Sequence, residues 1–225
     1  MLNDSLKLSY LSTSSIYLFV QTIVTFLILA EFSSVGKALK VSFIIIIFSL
    51  LIEGIGVHTG YPFGSYSYTN ILSPIFPGGV PLAIAFAWMT LSVNSFIILK
   101  YFLKNKNKYF VIFLSGLLIA FIDVMLDPFA SFINNYWIWA GSTIPFQNYL
   151  SWFVIGTAFS FILDIIIGKY IPSVKISFPI IVLASSIFQF LLINILNNYY
   201  FNSVIGISGI LLIFLTIFYL RKNEK

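Results

Sequence analysis

The chain has 225 residues, 60% hydrophobic and only 8% charged, with a formal net charge of +5. A water-soluble domain carries about a quarter charged residues, so this composition excludes an ordinary soluble protein. The lack of any cysteine excludes disulfides, thiolate nucleophiles and cysteine-ligated metals.

Several apolar runs approach the ~20 residues needed to cross a bilayer. Lipid offers the backbone no water to bond, so the spanning pieces must be helices or a closed barrel. Barrel strands would alternate, whereas these runs are continuous, which points to helices. The sequence predicts an all-α polytopic membrane bundle of about seven transmembrane helices, with residues 1–225 forming a single transmembrane domain. The first run, roughly 10–30, lacks a small-residue cleavage site and reads as a span and not a removable signal.

Lys37 and Lys40 follow it, and then a second span at 38–56, whose stretch "VSFIIIIFSLLIEGIG" ends on Glu53 and the glycines around it. The loop from 57 to 79 opens within "EGIGVHTGYPFGSYSYTN", which holds Glu53, the only histidine (His58) and three tyrosines, but no lysine or arginine. A third span covers 80–103, and Lys100, Lys104, Lys106 and Lys108 cluster around the connection that follows. The fourth span, 109–127, carries Asp123 and Asp127 near its end. Four residues apart, the two share one helix face at different depths. Pro128 disfavours helix at Asp127 and is expected to end the span there.

The second long loop, 128–148, belongs to "DPFASFINNYWIWAGSTIPFQN". Long connections are often functional, and these two are unusual in composition, each entered from a span that ends in carboxylates. A fifth span at 149–168 carries Asp164, read as a structural partner near Lys169. Lys175 precedes a sixth span at 176–196. "NNYYFN" makes a tight turn into the seventh, 203–221, and Arg221, Lys222 and Lys225 follow. The basic residues thus fall in alternate connections, with only Lys7 opposite. Cytoplasmic loops collect lysine and arginine, so the N-terminus is expected outside, the C-terminus inside, and the location is the cell membrane. The positive charge marks topology; no basic patch suits a nucleic acid.

Ionisable groups within a bilayer are expensive, face the bundle interior and mark functional sites by default. A carboxyl group withdrawn from water favours its neutral form, above all beside another carboxylate, and a neutral acid can donate a proton. Asp123, the deepest, is the expected acid, with Glu53 opposing it and Asp127 nearby. The other reading of these residues is structural: Asp127 as a turn residue, Glu53 and Asp123 as hydrogen-bonded links between helices, His58 as a loop residue, and the tyrosines and tryptophans as an interfacial belt.

The residues also carry a resemblance. The pattern E-G-x-x-x-x-T-G-x-P-F-G-x-Y-x-Y from Glu53 to Tyr68, G-V-P at 79–81 and Trp88 resemble the integral-membrane carotenoid hydratases of the CruF type. So do Asp123, Asp-Pro at 127–128, Ala130, W-x-W at 137–139, Pro145, Asn148 and Trp152. The resemblance implies addition of water to the terminal double bond of an acyclic carotenoid end group, a lipophilic carotenoid as the partner beside membrane lipid, and no cofactor or metal. On that chemistry a carboxyl group protonates the alkene and water captures the tertiary cation. Tyr66, Tyr68, Trp88, Trp137 and Trp139 would offer aromatic faces to the cation, at about 0.5–2 kcal/mol each. Asn148 and His58 would hold the water. Three other classes stay open. D-x-x-x-D at Asp123 and Asp127 suits the magnesium of a prenyltransferase, although a diphosphate wants arginine or lysine close by. A carotenoid cyclase shares the first step, and a transporter could use the acids as an ion site.

Overall fold

The computed structural model describes residues 12–168 and 175–222. Among them, seven helices are long and apolar enough to cross a membrane: α1 (Thr13–Phe32), α2 (Val35–Thr59), α3 (Leu82–Phe102), α4 (Lys108–Asp127), α5 (Phe146–Ile167), α6 (Ser177–Leu196) and α7 (Tyr200–Lys222). All seven coincide with the expected spans to within a few residues. Lys7, Lys169 and Lys225 lie outside the described residues, as does the side chain of Arg221.

Local chemistry sets the helix ends. Ser12 and Asn107 cap α1 and α4, accepting from the backbone N–H of Ser15 at 3.1 Å and of Tyr109 at 2.8 Å. α2 stops at Gly60, whose φ of +73° belongs to the left-handed region. A Cβ at Gly60 would lie 2.8 Å from Ser65 Oγ, so glycine is required there for space as well as for conformation. α3 is the central helix: 89% of its apolar window is buried, against 33% for α2, α6 and α7. Alanine, serine and threonine along α3, among them Ala83, Ala87, Thr90 and Ser92, are buried and let its neighbours approach closely.

α4 departs from expectation. Pro128 does not end the span; the helix runs on through a π-helical turn, Pro128–Ile133, closed by the Asn134 N–H on the Phe129 carbonyl at 3.1 Å. The reason lies in the neighbouring helices. Proline removes a backbone donor, and carbonyls freed inside a bilayer must find partners elsewhere. Asn202 of α7 donates to the Val124 carbonyl at 3.3 Å, and Asn194 of α6 to the Met125 carbonyl at 2.7 Å. The interrupted turn is thus satisfied from outside, and it sits beside Asp123 and Asp127.

The loops add two short antiparallel ladders to the all-α bundle. β1 (Tyr66–Tyr68) pairs with β4 (Trp137–Trp139), and β2 (Ile75–Phe76) pairs with β3 (Val80–Pro81). Strands of two or three residues give no periodic signal in a sequence. At the opposite end of the bundle, Lys100 Nζ meets Asp164 Oδ1 at 2.6 Å and the Gly168 carbonyl at 2.8 Å. Asp164 is a structural partner as expected, but its cation is Lys100 across the α3–α5 interface. Lys37 Nζ reaches the Ile167 carbonyl at 2.8 Å, so two cations close the C-terminus of α5.

Candidate active site

The β1–β4 ladder joins the two long loops and holds two of the three acids. Residues two apart on a strand face the same side, so Tyr66 and Tyr68 point together, as do Trp137 and Trp139. The register sets Tyr66 opposite Trp139 and Tyr68 opposite Trp137. Tyr66 and Tyr68 donate to Glu53 Oε2 at 2.6 and 2.7 Å. Trp137 and Trp139 donate to Asp127 Oδ1 at 3.1 and 3.0 Å. From α3, Trp88 Nε1 donates to Glu53 Oε1 at 2.8 Å. The rings expected as aromatic faces are therefore also the hydrogen-bond donors to the acids, a role their residue types permit but sequence reading did not give them.

Gly56, one turn from Glu53 on α2, lets the ladder come this close. A Cβ there would lie 2.8 Å from Phe63 and 2.9 Å from the Tyr66 hydroxyl.

Asn148, in the first turn of α5, links the acids of α4. Its Nδ2 donates to Asp127 Oδ2 at 2.7 Å and to Asp123 Oδ2 at 3.0 Å. With the amide nitrogen committed to two carboxyl groups, Asn148 Oδ1 accepts no hydrogen bond among the described residues, and Asn148 lines the adjoining cavity. Asp123 Oδ1 is buried without a hydrogen-bond partner among the described residues. Glu53 is 4% exposed, and Asp123 and Asp127 are 0% exposed. Among the described residues the side-chain donors around these acids are neutral: two phenols, three indoles, one amide and, at Asp127, the Ser131 hydroxyl. The sequence keeps lysine and arginine out of residues 41–99, 109–168 and 176–220 altogether.

Burial, with the Glu53 carboxylate beside them, pushes the phenols of Tyr66 and Tyr68 above their ordinary value. Both remain O–H donors throughout the physiological range.

Beside the acids lies a cavity of about 390 Å³. Glu53, Tyr66, Tyr68, Trp137, Trp139 and Asn148 line it, together with Phe63, Phe129, Tyr136 and Trp152. Of the three acids, Glu53 is the one on the cavity wall; Asp123, expected as the acid because of its depth, stands behind Asn148. Trp88 is fully buried and stacks on Trp152 with ring centroids 3.9 Å apart and planes 16° from parallel. His58 does not join the group. It is exposed at the end of α2, its Nδ1 2.8 Å from the Gly54 carbonyl, and it does not line the cavity. The structure thus brings together Glu53, Asp123, Asp127, Tyr66, Tyr68, Trp88, Trp137, Trp139 and Asn148, and leaves out His58. Trp152 was legible in principle, because it follows Asn148 by one helical turn. Phe129 and Tyr136 were not, because the π-helical turn that aims them was not foreseen.

The sequence pattern of a family described as "Carotenoid biosynthesis protein" matches residues 13–215. A bisanhydrobacterioruberin hydratase from Haloarcula japonica is 29% identical over 123 residues, covering 52% of this chain and 42% of that protein. The chain therefore aligns with less than half the length of that relative. No solved structure matches it.

Proposed function

Because this chain belongs to the carotenoid biosynthesis protein family, we propose that it is a carotenoid hydratase, adding water to the terminal double bond of an acyclic carotenoid end group. The observation that carries the reading is a buried carboxyl group, Glu53, on the wall of an aromatic cavity, with neutral donors around it. A hydrocarbon end group needs no cationic clamp, and the residues offer none. The hydratase named among the relatives lends the reaction class; the geometry lends the means.

Glu53 Oε2 accepts two phenol hydroxyls, while Oε1 accepts a single indole N–H. Oε1 therefore keeps a lone pair for the proton to be delivered. The alkene π bond takes that proton, forming a C–H bond and a tertiary cation. Water held on Asn148 Oδ1 adds to the cation, forming the C–O bond, and its surplus proton returns to the Glu53 carboxylate. Alkene and water are consumed, one tertiary alcohol is made, and no electrons are exchanged. Asp123 and Asp127 act through Asn148, whose amide they hold with the carbonyl oxygen free.

The orientation expected from the lysine bias puts the site at the outer face of the cell membrane. The new hydroxyl would then emerge among headgroups. Expression in lycopene-making cells, followed by chromatography and mass measurement, tests the reading. A pigment heavier by one water is the expected product. Unchanged mass with shifted absorption would replace hydratase by cyclase, and unaltered pigment from a folded protein would remove the enzymatic reading.

A further inference from the structure

The cavity is closed on one side and open on the other. Toward the acids and loops its wall is buried: Phe63 and Leu72 are 1% exposed, Ala130 and Asn148 2%. On the far side it is lined by Thr13, Ser14, Tyr17 and Leu18 of α1 and by Ser186 and Gln189 of α6. All of these except Ser186 are partly or fully exposed.

The gap between these helices has two fixed edges. At one edge the Ser14 hydroxyl meets the Tyr136 hydroxyl, tying α1 to the loop before β4. At the other, one helical turn beyond Tyr17, Gln21 Nε2 donates to Tyr17 at 2.7 Å, Ser186 at 3.0 Å and Ser185 at 3.2 Å, tying α1 to α6. Leu18 and Gln189 stand between the edges. The Gln189 amide makes no hydrogen bond among the described residues, as suits a polar group at the rim of an opening.

Size supplies the second line of evidence. Ligand cavities run from about 300 to 1,000 Å³ and enclose most of a drug-sized molecule, and this one lies at the small end. It has room for an isoprenoid end group and the first conjugated carbons. A full carotenoid chain is far longer than the cavity, so most of it must lie elsewhere, and lipid is its natural solvent. Both flanking helices are long and apolar enough to span a membrane, so a gap between them opens sideways.

Resting on the hydratase reading for the identity of the chain, we propose that the gap between α1 and α6, bounded by the Ser14–Tyr136 and Gln21–Ser186 hydrogen bonds, is a lateral doorway. Through it the polyene runs out into the bilayer while its end group lies against Glu53. Leu18 and Gln189 are its jambs. The doorway selects a linear chain: a rod can pass between two tethered helices, whereas an end bearing a bulky ring is held back at the edges.

A photo-crosslinking experiment tests this. A diazirine-bearing aliphatic residue is placed at position 189 or, as a control, at 188, where Phe188 is 65% exposed on the same helix. The full chain is irradiated in membranes of lycopene-making cells and the adducts are weighed. Polyene adducts at 189 with only phospholipid adducts at 188 are expected; only phospholipid at both positions would overturn the doorway. In parallel, Gln189→Trp should lower conversion of the full polyene at least about tenfold, as misplacing a reacting end group does, while Phe188→Trp stays within about twofold. A short isoprenoid with the same end group fits inside the cavity, so Gln189→Trp should still convert it. Equal loss on short and long substrates would mean a damaged fold, not a blocked doorway, and would count against the proposal. Polyene adducts at 189 without hydrated product would remove the hydratase reading and leave the doorway. Hydrated product without such adducts would do the reverse.

Discussion

The two ends of this bundle bury carboxyl groups in opposite ways. At one end Asp164 pairs with Lys100 at 2.6 Å, a fixed charge answered by a fixed charge. At the other, Glu53, Asp123 and Asp127 are buried among neutral donors: phenols, indoles, an amide and a hydroxyl among the described residues. A carboxylate paired with a lysine is one half of a link between two helices. One held by neutral donors in a low dielectric can exist with or without its proton, because nothing nearby depends on its charge. The first arrangement makes a strut, and the second, on the proposed reading, makes an acid. The comparison can be broken or sharpened by substitution at each end.

The largest effects belong to the acids. Glu53→Gln keeps the shape and the Trp88 contact but has no proton to give, and hydrated product should fall by about a hundredfold or more, the scale of a lost general acid. Asp123→Asn and Asp127→Asn disturb the Asn148 amide and should cost about tenfold or more. Pigment analysis at matched protein levels reads all three. Full activity in Glu53→Gln would remove Glu53 from the reaction and erase the distinction between the two ends.

The donors come next. Trp139→Phe removes one N–H from Asp127, and Tyr68→Phe removes one O–H from Glu53. A hydrogen bond to a charged group contributes about 1.5–3 kcal/mol, so each change should cost about tenfold in turnover or more. Because both tyrosine phenols lie above their usual range, neither should lose its proton in the pH range where the enzyme works. A pH–rate profile of the native chain should accordingly show no phenol inflection below about pH 10. An inflection there that vanished in Tyr68→Phe would show the phenol titrating as an acid in its own right.

The strut should behave differently. Lys100→Met leaves Asp164 without its cation and should destabilise the protein by about 2 kcal/mol. Turnover per folded molecule should be unaffected. Lys100→Met combined with Asp164→Leu should recover much of that loss, because an apolar pair can replace a buried ion pair. Thermal unfolding in detergent measures the first quantity and product per folded protein the second. A drop in turnover without a drop in stability would mean that the far end is coupled to the site.

The spans were legible because twenty-residue apolar runs and alternating lysines are strong, redundant signals. The acids were legible because an ionisable residue stands out in an apolar run. What joins them was not. The β1–β4 ladder is three residues long on each strand, and its pairing spans some seventy residues of chain, so no local pattern announces it. Y-x-Y and W-x-W do place their rings on one side, but only the pairing shows that the two sides meet. Pro128 misled for a related reason. Its local effect is to end a helix, and the asparagines that rescue the turn, Asn194 and Asn202, lie on two other helices.

The smallest effect is expected at His58, and it separates proximity in sequence from membership in the site. His58 lies within the same motif as Glu53 and Tyr66, and imidazole is a common acid–base group, so residue type alone would place it in the chemistry. Its geometry argues against that. It follows Glu53 by five residues, beyond the one-turn spacing that would place it over Glu53 on the same face of α2. It is exposed, with Nδ1 at the Gly54 carbonyl, while the wall beside Glu53 is built from β1, α3 and α5. His58→Gln should therefore leave conversion within about twofold of the native chain, measured with the same pigment analysis as the acid variants. A loss as large as that of Tyr68→Phe would bring imidazole back into the reaction. The set of neutral donors around Glu53 would then be incomplete, and the contrast with the Lys100–Asp164 pair would lose its sharpest term.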